Sequence, residues 1–152
     1  MNTKIISAFP GCGKTYFSEN TKLKVLDSDS SRFSWVHFTS SKTKIRNPNF
    51  PTNYINHIKQ NIGCVDIILV SSHSVVRNAL IENNIDFTLI YPDQNIKEEY
   101  LDRFKKRGSD EQFINMLDNN WYSFLLDMKS QKNCKHIILY SGMYLSDYIK
   151  EN

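Results

Sequence analysis

The sequence predicts an α/β protein whose parallel sheet is covered by helices. Three observations carry that expectation. Five short apolar runs, at 4–9, 24–29, 65–70, 87–91 and 136–140, alternate with polar or amphipathic stretches, the rhythm of strands separated by helical crossovers. The first run leads straight into a glycine-rich stretch, AFPGCGKTYF at 8–17. The 152 residues, 40% hydrophobic and 23% charged, suffice for one packed core and are too few for two, so 1–152 reads as a single domain.

Each element has its own local signal. KIISAF (4–9) is the first strand, and the glycines after it turn the chain into a helix. KVLDSD (24–29) is the second strand. The stretch from Phe33 to Phe50, rich in Ser, Thr, Asn and Lys, keeps no period and is expected to be a mobile loop. PTNYINHIKQNIG places Pro51 in a first helical turn and stops at Gly63. VDIILV (65–70) is the third strand, and SHSVVRNALIENN after it reads as a helix ended by Asn. FTLIY (87–91) is the fourth. The long stretch 95–133 reads as two helices broken at Gly108, because glycine costs about 1 kcal/mol in a helix interior and Ser109 and Asp110 are good starters. In the second of these, Phe113, Met116, Leu117, Trp121, Phe124, Leu125 and Met128 recur at helical spacing and are expected to pack in the core. HIILY (136–140) completes the sheet.

The formal charge of +3 comes from lysines scattered along the chain, which permits nucleic acid without indicating it. Cys12, Cys64 and Cys134 show neither metal-site spacing nor the density of a disulfide scaffold, and are expected to be free thiols in a reducing compartment. No leader-like pattern opens the sequence and no apolar run is long enough to cross a bilayer, so a cytoplasmic protein with no membrane partner is expected.

Ala8 to Thr15 spell A-x-x-x-x-G-K-T, a phosphate-binding pattern with Ala in place of the first Gly. Gly11 and Gly13 let the backbone turn sharply enough for successive N–H groups to face phosphate oxygens, and the start of the following helix adds partial positive charge. Pro10, Gly11, Cys12, Gly13, Lys14, Thr15 and Tyr16 are therefore the expected nucleotide-binding run. Lys14 would reach the β- and γ-phosphates of ATP, and the Thr15 hydroxyl would ligate Mg²⁺. Cys12 is expected to matter only for being small.

VLDSDSSRF ends the second strand with Asp27 and Asp29 one residue apart, a spacing that points both carboxylates to one side. One would hold a Mg²⁺-bound water, a task given to Asp27, while Asp29 orients or deprotonates an acceptor. Arg32 is expected to contact an acceptor phosphate or the charge developing on the transferred group. Ser71 and Ser72 stand where the third strand should supply a metal-organising acid, and Asp66 lies at the other end, so that duty falls to Asp27 or Asp29. His73, Arg77 and Arg46 are candidate acceptor contacts, and Tyr54 is a candidate for stacking on a base.

YLDRFKKRGSDEQF places Arg103 and Arg107 on one helical face directly before Gly108. Residues 100–112 would thus form a lid that closes over phosphates, neutralises charge and expels water.

With these motifs in view, the chain resembles a P-loop kinase of the nucleoside monophosphate kinase type. LIYPDQNIKEEYLDRFKKRGSDEQF is similar to the lid of guanylate kinases, DSD to shikimate kinases, and DSDSSR to the Asp-x-Asp-x-x-Arg of adenylylsulfate and polynucleotide kinases. The resemblance implies a three-layer P-loop NTPase-type fold, with five parallel strands in the order 2-3-1-4-5. It also implies ATP and Mg²⁺ on Gly11, Gly13, Lys14 and Thr15, Arg103 and Arg107 as lid arginines, Asp29 and Arg32 on the acceptor, and SGMYL (141–145) beside the adenine. Residues 33–62 would be the acceptor-binding segment.

The leading expectation is transfer of the ATP γ-phosphoryl group to a nucleoside or deoxynucleoside monophosphate, a small-molecule acceptor whose ionised phosphate needs arginines more than a base. The alternative is a hydroxyl acceptor, on a nucleoside, a polynucleotide 5′ end or a small metabolite, with Asp29 as base. Nucleic acid would be a partner only in that case. A third reading is an ATP-binding switch without transfer.

Overall fold

The computed structural model describes residues 2–36 and 45–149. In chain order its elements are β1 (Lys4–Ala8), α1 (Lys14–Asn20), β2 (Val25–Asp27), α2 (Ser31–Ser34), β3 (Trp35–Val36), β4 (Ile45–Arg46), α3 (Thr52–Asn61), β5 (Ile67–Val70), α4 (Ser74–Glu82), β6 (Thr88–Pro92), α5 (Lys97–Lys106), α6 (Glu111–Lys129) and β7 (Lys135–Leu139). Five strands form one all-parallel sheet ordered β2-β5-β1-β6-β7. Counted along that sheet, this is the expected order 2-3-1-4-5.

Burial explains why the central strands read as continuous apolar runs. Successive residues of β1 from Ile5 to Ala8, and all four of β5, are buried, so both faces of the sheet centre are covered. The register sets Ser7 beside Val70 on one flank and beside Leu89 on the other. The carboxyl ends of these strands therefore meet at one edge, where the chain reverses between neighbours on either side of β1.

Helix boundaries follow local chemistry. The Asp110 side chain accepts from the Phe113 N–H and caps α6, while Gly108 at φ +78° supplies the turn from α5 that an L-residue would resist. Glu98 and Glu99 open α5 and Arg103, Lys105 and Lys106 close it, matching the helix dipole.

Two expectations change. The irregular stretch contains a short antiparallel pair, β3 with β4, in which Trp35 faces Arg46; two-residue strands are too short to leave an alternating pattern. Residues 37–44, at the centre of the expected mobile loop, lie outside the described residues. The apolar stripe of α6 also divides. Leu117, Trp121, Leu125 and Met128 are core and Phe113 is half-buried, whereas Met116 and Phe124 stay exposed, because a stripe this wide exceeds what the sheet can cover. Among the described residues, no helix is long and apolar enough to cross a membrane.

Candidate functional site

The turn after β1 is shaped by its two glycines. Gly11 and Gly13 sit at φ +86° and +89°. A Cβ on Gly11 would come within 3.1 Å of Phe104 Cζ, and one on Gly13 within 3.0 Å of Tyr144 Cδ1. Glycine is thus required twice over, by backbone conformation and by space. The turn is tied down at its ends: Phe9 N–H donates to Ile90 O (2.9 Å), Phe17 N–H to Gly13 O (3.0 Å) and Leu145 N–H to Cys12 O (2.9 Å). Between those ties, the N–H groups of Gly13, Lys14, Thr15 and Tyr16 find no acceptor among the described residues. Four successive donors in a tight turn form a concavity suited to an anion.

Beneath this cradle lies an ionic brace. Arg103 Nη1 donates to Gly11 O (2.8 Å), and Nη2 donates to Met143 O (3.3 Å) and to Glu99 Oε2 (3.1 Å). Its guanidinium lies 4.4 Å from the Tyr100 ring centre and 4.0 Å from that of Tyr144. Glu99 also accepts from Ser141 Oγ (2.6 Å) and Gly142 N–H (3.1 Å). These bonds, the Ser141 hydroxyl first, hold the Glu99 carboxyl below the usual carboxylate range. Cys12 is fully buried with its thiol 3.5 Å from the Tyr100 hydroxyl, and burial pushes its pKa up to about 11. It is therefore more than a small residue: it packs the cradle onto α5 as an unreactive thiol. All three cysteines are free.

Two hollows adjoin the cradle. The first, about 980 Å³, lies between the turn, Arg107, Lys106 and Tyr144. The second, about 670 Å³, lies between Asp29, His73, Arg46, Trp35 and the exposed side of α6. Lys14 lines both, as do Pro10 and Phe113. Lys14 thus belongs to the boundary between the two hollows.

The carboxyl ends of β2 and β5 are fixed by a hydroxyl web. Ser7 Oγ donates to Ser71 O (3.0 Å), Ser30 N–H to Ser71 Oγ (3.0 Å) and Tyr54 Oη to Ser28 O (2.7 Å). Asp29 lies between the two pinned serines and accepts from Ser31 N–H (2.9 Å). Ser71, found where an acid was sought, is a structural anchor for the segment carrying Asp29.

No family model and no curated protein matches this chain.

Of the expected residues, Pro10, Gly11, Gly13, Lys14, Thr15, Tyr16 and Arg107 line the first hollow, and Asp29, Arg46, His73 and Arg77 the second. Arg103 also borders the first, with its Nη1 and Nη2 groups bonded into the brace, so it acts as a strut beneath the cradle. Residues 100–112 form the end of α5, the Gly108 turn and the capped start of α6, and α5 packs against α6. Asp27 is exposed and lines neither hollow, because β2 ends there and the chain turns before Asp29. Arg32 is exposed and also lines neither.

One expectation is overturned and another is qualified. Tyr54 is fully buried and cannot stack on a base; burial pushes its hydroxyl up to about 12, leaving it a donor in the web. Arg77 is 2% exposed, with Nε on Ser72 O (2.9 Å), Nη1 on Gln131 Oε1 (2.8 Å) and Nη2 paired to Asp127. It ties α4 to α6. His73 keeps solvent contact, yet desolvation first and the Lys14 charge second pull its imidazole below the ordinary value, so it is neutral near pH 7.

Sequence reasoning did not single out Glu99, Tyr100 or Trp35, whereas SGMYL (141–145), expected beside the nucleotide, does bring Tyr144 to the first hollow. Glu99 and Tyr100 reach the cradle from α5, a proximity that only the strand order creates. Trp35 had one usable signal, a tryptophan inside a polar stretch.

Proposed function

We propose that the protein transfers the γ-phosphoryl group of ATP, bound as its Mg²⁺ complex in the first hollow, to an acceptor hydroxyl in the second. The carrying observation is Lys14, which lines both hollows and whose amide is one of four successive N–H groups with no acceptor among the described residues. The triphosphate would lie along Gly13–Tyr16, with Lys14 between donor and acceptor to neutralise charge on the moving group. Thr15, exposed at the first hollow, fits a Mg²⁺ ligand; Asp27 stands apart from both hollows and does not. Mg²⁺ would supply charge neutralisation across the β- and γ-phosphates.

A hydroxyl fits the second hollow better than the phosphate of a nucleoside monophosphate. A phosphate calls for several unpaired arginines, yet among the described residues Arg77 at this hollow is paired with Asp127, Arg32 lines neither hollow, and Arg46 remains. Asp29 supports a general base. Its carboxylate takes the hydroxyl proton as the oxygen bonds to the γ-phosphorus and the bond to the β–γ bridging oxygen breaks, releasing ADP. Arg46 is the observation that favours the monophosphate reading.

The test is product analysis by mass after incubation with ATP, Mg²⁺ and panels of nucleosides, nucleoside monophosphates and small alcohols. A phosphorylated hydroxyl is expected, with Asp29→Asn slowing it by about a hundredfold or more. Phosphorylation of monophosphates alone, indifferent to Asp29→Asn, would restore the phosphate acceptor. No product from any panel would leave a nucleotide-binding switch.

A further inference from the structure

The second hollow has two walls of unlike chemistry. On one, Asp29 and His73 stand near Lys14, whose charges act on the His73 ring. The other is apolar and open: Met116 and Phe124 on α6 and Val75 on α4 are 40%, 37% and 42% exposed. The Trp35 ring borders the same space, with the Arg46 guanidinium 4.9 Å from its centre. Helical spacing alone would assign Met116 and Phe124 to the core. Exposed apolar side chains gathered around one concave space usually mark a ligand surface.

We infer that this wall recognises a flat aromatic heterocycle by stacking and apolar contact, so that the acceptor is a nucleobase joined to a hydroxyl-bearing sugar. The inference rests on the phosphotransfer reading for the role of the hydroxyl, but not for the binding. The wall is aromatic at Phe124, and a ring face stacks on such a surface whichever base it belongs to. A hollow of about 670 Å³ has room for a nucleoside, with the heterocycle against the apolar wall and a sugar hydroxyl toward Asp29. A plain polyol would leave that wall wet and gain nothing from it. The same chemistry is offered by a free nucleoside and by the terminal residue of an oligonucleotide.

The test is calorimetric titration of the full chain, without ATP, using four nucleosides, a short oligodeoxynucleotide with a 5′-hydroxyl, ribose and glycerol. At least one nucleoside or the oligonucleotide is expected to bind, and ribose and glycerol to bind at least tenfold more weakly. Phe124→Ala and Met116→Ala should each weaken binding by about tenfold. Their exposure protects the fold, and an unchanged circular dichroism spectrum would verify that. Saturation by the oligonucleotide alone would identify the polynucleotide source, and by nucleosides alone the free one. Equal binding of ribose, no binding of any base-containing ligand, or indifference to both substitutions would overturn the inference. Binding with these properties but no phosphoryl transfer would sink only the catalytic reading; transfer to glycerol in preference to any nucleoside would sink only the wall.

Discussion

The two hollows that meet at Lys14 are built by different means. The first is centred on backbone: two glycines at positive φ, four amides with no acceptor among the described residues, and an arginine strut bonded to Gly11 O and Met143 O, with side chains such as Arg107 and Tyr144 around them. The second takes its form from side chains contributed by β3, β4, α4, α6 and the segment after β2. A backbone-built site presents the same donors whatever the neighbouring side chains, which suits a ligand of constant chemistry such as a phosphate chain. A side-chain-built site can be altered one residue at a time, which suits the partner that defines specificity.

Substitutions can break or sharpen this contrast. The largest effect should come at the shared residue. Lys14→Ala is expected to slow transfer about a thousandfold while the protein still melts near the wild-type temperature, since this side chain is only half-buried. Steady-state rates with a parallel thermal melt would check it, and retained transfer would mean that Lys14 does not lie on the reaction path.

Next comes the strut. Arg103→Ala should raise the KM for ATP by about thirtyfold, through loss of charge-assisted hydrogen bonds that hold the cradle, with a smaller change in kcat. Arg103→Lys should not rescue it, because an ammonium cannot span Gly11, Met143 and Glu99 from between two rings. A kcat effect with unchanged KM would instead make Arg103 a group that acts on the transferring phosphate.

The smallest effect separates two arginines once grouped together. Arg77→Ala removes a buried guanidinium with bonds to Ser72, Gln131 and Asp127 and should cost about 2 kcal/mol of stability, with no direct effect on ATP affinity. Arg46→Ala should leave the melting temperature within about a degree, because the side chain is exposed, and weaken acceptor binding instead. Denaturant titration and acceptor KM measured on both variants decide the matter; the reverse assignment would make Arg77 an acceptor contact.

The same contrast explains what was legible in the sequence. The order of the strands is implied by the family resemblance alone, whereas the strands and the cradle could be anticipated because apolar runs and glycine spacing are local features with local causes. The roles of Arg103, Tyr54 and Arg77 could not. Each is polar, each sits at a spacing that suits a ligand contact, and only tertiary packing commits it to an internal partner. Met116 and Phe124 erred in the other direction: their helical period says only that they share a side with Leu117 and Trp121, not that the sheet is wide enough to cover them. Asp27 and Asp29 obey strand alternation only as long as the strand continues, and β2 ends between them.

The account stands on the amides of the turn after β1. Nitrogen–proton correlation spectra recorded during titration with ATP and Mg²⁺ would test it most directly. The predicted result is that the largest shifts fall on the N–H signals of Gly13, Lys14, Thr15 and Tyr16 and saturate together. Saturable binding that leaves those four signals in place would contradict it.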